Sequence, residues 1–158
     1  MEVLFPCGDL LLTCRRNQLR PLVADSFCGS SICGSVDALK AGADMLEAEN
    51  PGCFDDPDKT FIDLYMKSGL YITEIVKRLY QSEQMKKQFP DPKERLRHIF
   101  EKQVYGLAPT EIIYHIALSY ILGFNEDTKD IKHNFRQLDA LPYAKEGTLQ
   151  QKLDELFD

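Results

Sequence analysis

Residues 60–69 of this chain read TFIDLYMKSG, and this stretch decides the fold. Its first five residues form a short apolar run around one acid, Asp63, which is typical of a buried strand that ends in a turn. Ser68 and Gly69 interrupt the run. The apolar residues that follow have the spacing of one helix face, namely Ile72, Ile75, Val76 and Leu79. The stretch therefore predicts a strand, a turn and a helix.

The segments around this stretch continue the alternation of helix and strand. Residues 36–50 carry one apolar stripe, which predicts a helix before the strand. Asp91 and Pro92 suit the cap and the first position of a further helix. The remaining predicted elements are a strand over 103–107, a helix from Thr110, a weaker strand over 134–138 and a last helix after residue 148.

This order of elements predicts an α/β fold with a parallel sheet flanked by helices. The carboxyl ends of parallel strands meet at one edge, where ligands usually bind. Candidate ligand-binding segments are therefore 63–69, 107–111 and 139–141. The helix after Thr110 is expected to turn five residues toward the core: Ile112, Ile113, Ile116, Ala117 and Tyr120.

The chain has 158 residues, which suits one domain. Residues 1–35 show no sustained period, and we expect an irregular N-terminal arm, either a short strand with loops or a poorly ordered segment. The formal charge is −6, which argues against a free-standing nucleic-acid binder. No apolar run reaches the ~18 residues of a membrane span, and the start has no early basic residue of a secretory signal. We therefore expect a cytoplasmic protein.

Other clusters of reactive or charged side chains give weaker signals. All five cysteines lie in the first 53 residues, and we interpret them as free thiols rather than as disulfides or a zinc site. The three histidines have no spacing that suggests a metal site or a catalytic triad. A modest basic patch is interpreted as a solvated helix face rather than a DNA contact, and it comprises Lys86, Lys87, Lys93, Arg95 and Arg97.

Asp63 and Gly69 carry the strongest chemical signal. A carboxylate at a strand end can accept hydrogen bonds from an ammonium or hydroxyl group of a ligand, and a glycine before a helix permits close approach to its N–H groups. An Asp in this position can equally be a simple turn former.

The order of these segments resembles the first S-adenosylmethionine motif of the N6-adenine DNA methyltransferases of restriction–modification systems. Asp63, Ser68 and Gly69 match that motif. A second run, residues 23–30, also resembles it, but the predicted strand before Asp63 and the predicted helix after Gly69 are better. The resemblance covers residues 36–158 and implies a partial Rossmann-like, class I methyltransferase domain that binds S-adenosylmethionine. The family has an acid that holds the ribose at the position of Ala108, and the resemblance implies that Glu111 takes its place. It also implies that Asp139 lies near the adenine.

The chain also departs from this family. Residues 64–67, LYMK, are bulkier than the Pro-x-Cys-Gly of the family motif. They would either crowd the methionine end of the cofactor or force another path of the loop. The tetrapeptide Asp/Asn-Pro-Pro-Tyr/Phe, which holds the target adenine in the family, is missing, so we assign no catalytic residue.

We therefore expect an inactive cofactor-binding fragment that reaches DNA through another part of the protein. A missing fourth strand would leave an exposed sheet edge and favour self-association. The alternative is a non-enzymatic α/β module that has lost the cofactor and serves as a subunit.

Overall fold

The computed structural model describes residues 11–15, 18–21, 36–123, 128 and 130–157. The strands are β1 (Leu11–Arg15), β2 (Gln18–Pro21), β3 (Thr60–Asp63), β4 (Val104–Ala108) and β5 (Asn134–Gln137). The helices are α1 (Val36–Glu49), α2 (Leu70–Gln81), α3 (Glu83–Gln88), α4 (Pro92–His98), α5 (Glu111–Ile121), α6 (Leu141–Glu146) and α7 (Leu149–Phe157). A π-helical turn, Ile99–Gln103, joins α4 to β4.

Three neighbouring strands form the predicted parallel sheet. β3 pairs in parallel with β4, where Asp63 lies opposite Gly106, and β4 pairs in parallel with β5, where Ala108 lies opposite Gln137. The register places the carboxyl ends of all three strands at one edge. The α/β class and the parallel sheet flanked by helices are thus confirmed.

Two further strands come from the segment that we expected to be irregular. β1 and β2 form an antiparallel pair, and β1 also pairs antiparallel with β3, with Leu11 opposite Asp63. The pairing with β1 places β3 inside the sheet, whose outer strands among the described residues are β2 and β5. Sequence pattern missed this pairing because Thr13 is the one β-branched residue in β1, so the local strand signal is weak. The motif-like run at 23–30 lies outside the described residues.

Helices cover both faces of the sheet. Successive residues of a strand point to opposite faces, and β3 follows this rule. Phe61 packs in a cluster with side chains of α1, α2 and α5, whereas Ile62 packs in a second cluster with Leu153 of α7. The sheet is thus the middle of three layers.

The predicted starts of α4 and α5 are confirmed. The Asp91 carboxylate accepts a hydrogen bond from the Lys93 amide, with Pro92 in the first turn of α4. The Thr110 hydroxyl accepts a hydrogen bond from the Ile113 amide at the start of α5. Both side chains satisfy amides that a helix start leaves without a partner.

The prediction for the inner face of α5 was wrong for three of its five residues. Ile112 is 74% exposed, and Ile116 and Tyr120 are each 52% exposed. Ala117 is buried and Ile113 is partly buried, as predicted. The helix is apolar over a wider arc than the sheet can cover, and its contact with the core follows Ile113, Tyr114, Ala117, Leu118 and Ile121.

Candidate functional site

The loop after β3 is organised by the buried carboxylate of Asp63. This residue is 4% exposed, and its Oδ1 accepts a hydrogen bond of 2.9 Å from the backbone N–H of Tyr65. Sequence analysis offered a ligand contact and a turn former as alternative roles. The bond to Tyr65 shows that Asp63 at least holds the turn at the carboxyl end of β3.

Met66 fixes the path of the same loop. Its backbone N–H donates to the carbonyl of Leu107 at 2.7 Å, and its side chain is fully buried against Gly106. Leu64 is also buried, whereas Tyr65 and Lys67 are exposed. The bulky residues of the loop thus divide between the core and the solvent, and the two buried ones, Leu64 and Met66, pack in different clusters.

Gly69 begins α2 in a left-handed backbone conformation, with a φ of 80°. A Cβ at this position would lie 2.6 Å from Cγ1 of Ile121 and 3.3 Å from the carbonyl oxygen of Ala117. Glycine is therefore required both by the backbone angle and by the close approach of α5. The neighbouring Ser68 is half-buried.

Glu111 and Asp139 lie at the same edge of the sheet and are exposed. Glu111 is 3.8 Å from Nε2 of His115 through its Oε1. Asp139 accepts a hydrogen bond of 3.0 Å from the Leu141 amide at the start of α6. The register of the sheet brings the ends of β3, β4 and β5 to one edge, with Asp63, Glu111 and Asp139 at or just after those ends. Gly69, in contrast, lies against Ala117 and Ile121 in the second half of α5.

This edge suits the two halves of S-adenosylmethionine unequally. The exposed carboxylates of Glu111 and Asp139 are acceptors of the kind that ribose hydroxyls and an adenine amine need. The space next to Gly69 is occupied by Ile121, and the space next to Gly106 is occupied by Met66. The two exposed carboxylates offer hydrogen-bond acceptors, while neither glycine provides a cradle for the methionine end.

A cleft of about 470 Å³ lies at the opposite, amino-terminal end of β4 and β5. The sequence did not predict this cleft, because all the candidate ligand-binding segments lie at the carboxyl ends of the strands. The sequence feature that could have indicated the cleft is a group of basic residues just before or within β4 and β5. The cleft is lined by Glu101, Lys102, Ile131, Lys132, His133, Asn134 and Arg136.

His133 in this cleft is half-buried and stacks on Phe135 with the ring centroids 5.2 Å apart. Its Nδ1 lies 3.3 Å from the Phe135 amide, which donates to it. Burial lowers the pKa of His133 from its usual value of 6.5, and the nearby charge of Arg136 lowers it further. The ring is therefore neutral at pH 7, with its proton on Nε2.

The predicted basic patch contains one residue that is structural. Arg95 is 6% exposed, and its guanidinium donates to the carbonyls of Phe89, Tyr80 and Pro90 at 3.0–3.2 Å. Lys86 pairs with Glu83 at 2.6 Å. The interpretation as a solvated helix face was thus wrong for Arg95. Its guanidinium is buried, and its hydrogen bonds close the turn between α3 and α4.

The part of the chain that the structure describes contains neither a candidate metal cluster nor a helix suited to span a membrane. No three His, Cys, Asp or Glu side chains lie close enough together to hold a metal ion there. None of the helices in that part of the chain is long and apolar enough to cross a bilayer.

No family model, curated protein or solved structure matches this chain. The resemblance to methyltransferases therefore rests on the residues of the first motif and on the order of the elements around it.

Proposed function

We propose that this chain is the S-adenosylmethionine-binding part of a DNA adenine-N6 methyltransferase of the restriction–modification kind. One observation carries the proposal. A strand in a parallel sheet ends at Asp63 and enters α2 through Gly69, and the carboxylates of Glu111 and Asp139 stand at the same edge. This arrangement places hydrogen-bond acceptors where ligands bind in parallel sheets.

Each residue of the edge has a separate task in this proposal. Glu111 accepts a hydrogen bond from the ribose, and Asp139 accepts one from the adenine amine. Asp63 holds the turn through the Tyr65 amide, and Ser68 borders the methionine end beside Gly69. The bound cofactor would supply a methyl group activated by its sulfonium.

The proposal assigns the transfer step itself to residues outside this sequence. The chain has no Asp/Asn-Pro-Pro-Tyr/Phe tetrapeptide to hold the target amine. We therefore expect the isolated chain to bind cofactor without methylating DNA, and the DNA contacts to come from another part of the protein. Its predicted location is the cytoplasm.

Calorimetric titration with S-adenosylmethionine tests the proposal. The informative variants are Glu111→Gln and Asp139→Asn, because both residues are exposed and Asn keeps the oxygen that accepts from Leu141. Glu146→Gln is the matched control, since Glu146 is an exposed acid at the last residue of α6 and has no role in the proposed site.

We expect saturable binding by the wild type and the control, and affinity about tenfold lower in each site variant. Absence of binding by the folded wild-type chain would overturn the proposal.

A second candidate is a non-enzymatic α/β module that has lost the cofactor. It is favoured by the filled turn, since Met66 and Ile121 occupy the space beside the two glycines nearest the loop. Self-association also stays a prediction of this candidate, and β5 is the outer strand on the parallel side of the described sheet. A folded chain that binds no S-adenosylmethionine and forms a dimer in analytical ultracentrifugation would favour this candidate.

A further inference from the structure

We propose that the cleft at the amino ends of β4 and β5 binds the phosphate group of a small phosphate ester. The site is independent of the proposed cofactor edge. β4 is five residues long, so the two ends of the sheet are about 16 Å apart at ~3.3 Å per residue.

The charge of the cleft is the first argument. Lys102, Lys132 and Arg136 line it together with a single acid, Glu101. Neither lysine has an ion-pair partner among the described residues. The whole chain has a formal charge of −6, so this local excess of positive charge runs against its average composition. Converging cations without carboxylate partners favour an anionic ligand.

The second argument is that the wall of the cleft is held in place. The Asn134 side-chain amide donates to the carbonyls of Phe100 and Glu101 at 3.2 and 2.9 Å, which ties β5 to the π-helical turn. One terminal nitrogen of Arg136, Nη1, donates to the carbonyls of His133 and Phe135 at 3.1 and 2.9 Å. A guanidinium anchored at one nitrogen keeps its other donors in a fixed direction, which suits an oxyanion.

His133 adds a neutral donor to this wall. Its Nδ1 is the acceptor for the Phe135 amide, so the ring proton lies on Nε2 and is available to a ligand oxygen. The cleft thus combines lysine charges at its rim with an arginine and a histidine that other bonds hold in position.

The volume of the cleft suits a small ligand better than a nucleic acid. A volume of about 470 Å³ lies within the ~300–1,000 Å³ of small-molecule sites. Duplex binding depends on an extended basic surface that neutralises several phosphates in a row. The three cations here surround one concave site instead.

Calorimetric titration with ribose 5-phosphate tests the inference, with ribose as the uncharged counterpart. The variant is the double substitution Lys102→Gln with Lys132→Gln, whose side chains are exposed and whose loss leaves the core intact. Lys87→Gln is the control, because Lys87 is an exposed lysine on α3. Thermal melting of each variant verifies that it is folded.

We expect saturable binding of ribose 5-phosphate by the wild type and Lys87→Gln, about tenfold weaker binding by the double variant, and none of ribose. Equal affinity in the wild type and the double variant would overturn the inference, as would the absence of saturable binding by the wild type. Displacement of ribose 5-phosphate by a 12-base-pair DNA duplex at lower concentration would show a nucleic-acid site and overturn it as well. Binding of S-adenosylmethionine should be the same in the double variant and the wild type, so the two proposals fail separately.

Discussion

The side chain of Met66 occupies the space that a side chain on Gly106 would need. A Cβ built on Gly106 would collide with Sδ of Met66 and lie 3.0 Å from its Cγ. Met66 is fully buried, and its amide is held by the Leu107 carbonyl at 2.7 Å. Because the side chain is fully buried, the methionine can move aside only by displacing its neighbours in the core.

Gly106→Ala should lower the free energy of unfolding by about 1–3 kcal/mol, because the core is overpacked at Met66. Urea denaturation followed by circular dichroism measures the loss. Met66→Ala should destabilise the chain on its own, since it leaves a cavity. The double variant should lose clearly less than the sum of the two single losses, and strict additivity would contradict the contact.

Gly69→Ala should be more harmful than Gly147→Ala. Both glycines have a positive φ, of 80° and 72°, so both substitutions carry backbone strain of about 1 kcal/mol. A Cβ on residue 147 meets nothing within 4 Å, whereas one on residue 69 meets Ile121 at 2.6 Å. The excess loss at residue 69 should be about 1–3 kcal/mol in urea denaturation. Equal losses would mean that α5 does not pack against Gly69.

Arg95→Lys should destabilise the chain by about 2 kcal/mol or more, although the charge is kept. A lysine lacks the planar fork that reaches the carbonyls of Tyr80, Phe89 and Pro90, so buried acceptors lose their partners. Arg97→Lys is the control, because Arg97 is exposed and its replacement should change stability by less than about 0.5 kcal/mol. Thermal melting of both variants makes the comparison, and similar melting temperatures would contradict the structural role of Arg95.

Stability should fall as the pH drops below about 6.5, in part because of His133. Its folded pKa lies below the usual 6.5, so the unfolded state takes up the proton first and unfolding becomes easier with acidification. The effect is absent well above pH 6.5 and levels off below the folded pKa. In urea denaturation between pH 7.5 and 5.5, His133→Asn should flatten the slope of stability against pH. An unchanged slope in His133→Asn would contradict the burial effect.

Cys53 should resist alkylation in the folded chain. Burial raises the pKa of this thiol to about 11, and the charge of Glu47 acts in the same direction. At pH 8 very little reactive thiolate is present, and the side chain is inaccessible. Mass-spectrometric mapping after iodoacetamide treatment should find Cys53 modified in guanidinium and protected without it. Fast modification of the folded chain would show that this region opens easily.

Short-range signals account for the part of the fold that sequence predicted. The caps at Asp91 and Thr110 and the glycine before α2 act within a few residues, so their pattern is visible in the chain itself. The pairing of β1 with β3 was missed because it joins segments far apart in sequence and adds no local period. The exposed side of α5 was missed because apolar residues cover most of that helix, and composition does not say which arc meets the core.

The sequence predicted which residues belong to the candidate site but not how their side chains are arranged in space. The ends of the parallel strands follow from the order of elements, and this is why Asp63, Glu111 and Asp139 share one edge. The bulk of residues 64–67 is visible in the sequence, but the contact of Met66 with Gly106 joins segments forty residues apart and has no pattern along the chain. The cleft beside Arg136 was missed for a similar reason, since its residues come from separate segments.

The pairing of β3 with β1 on one side and β4 on the other also bears on how the chain folds. Each partner is more than forty residues away along the chain, so closing either loop costs entropy before any strand contact is gained. Helices form from neighbouring residues and need no such closure. We therefore expect helical signal to develop early in refolding and the central strand to become protected from hydrogen exchange only in the last, rate-limiting phase.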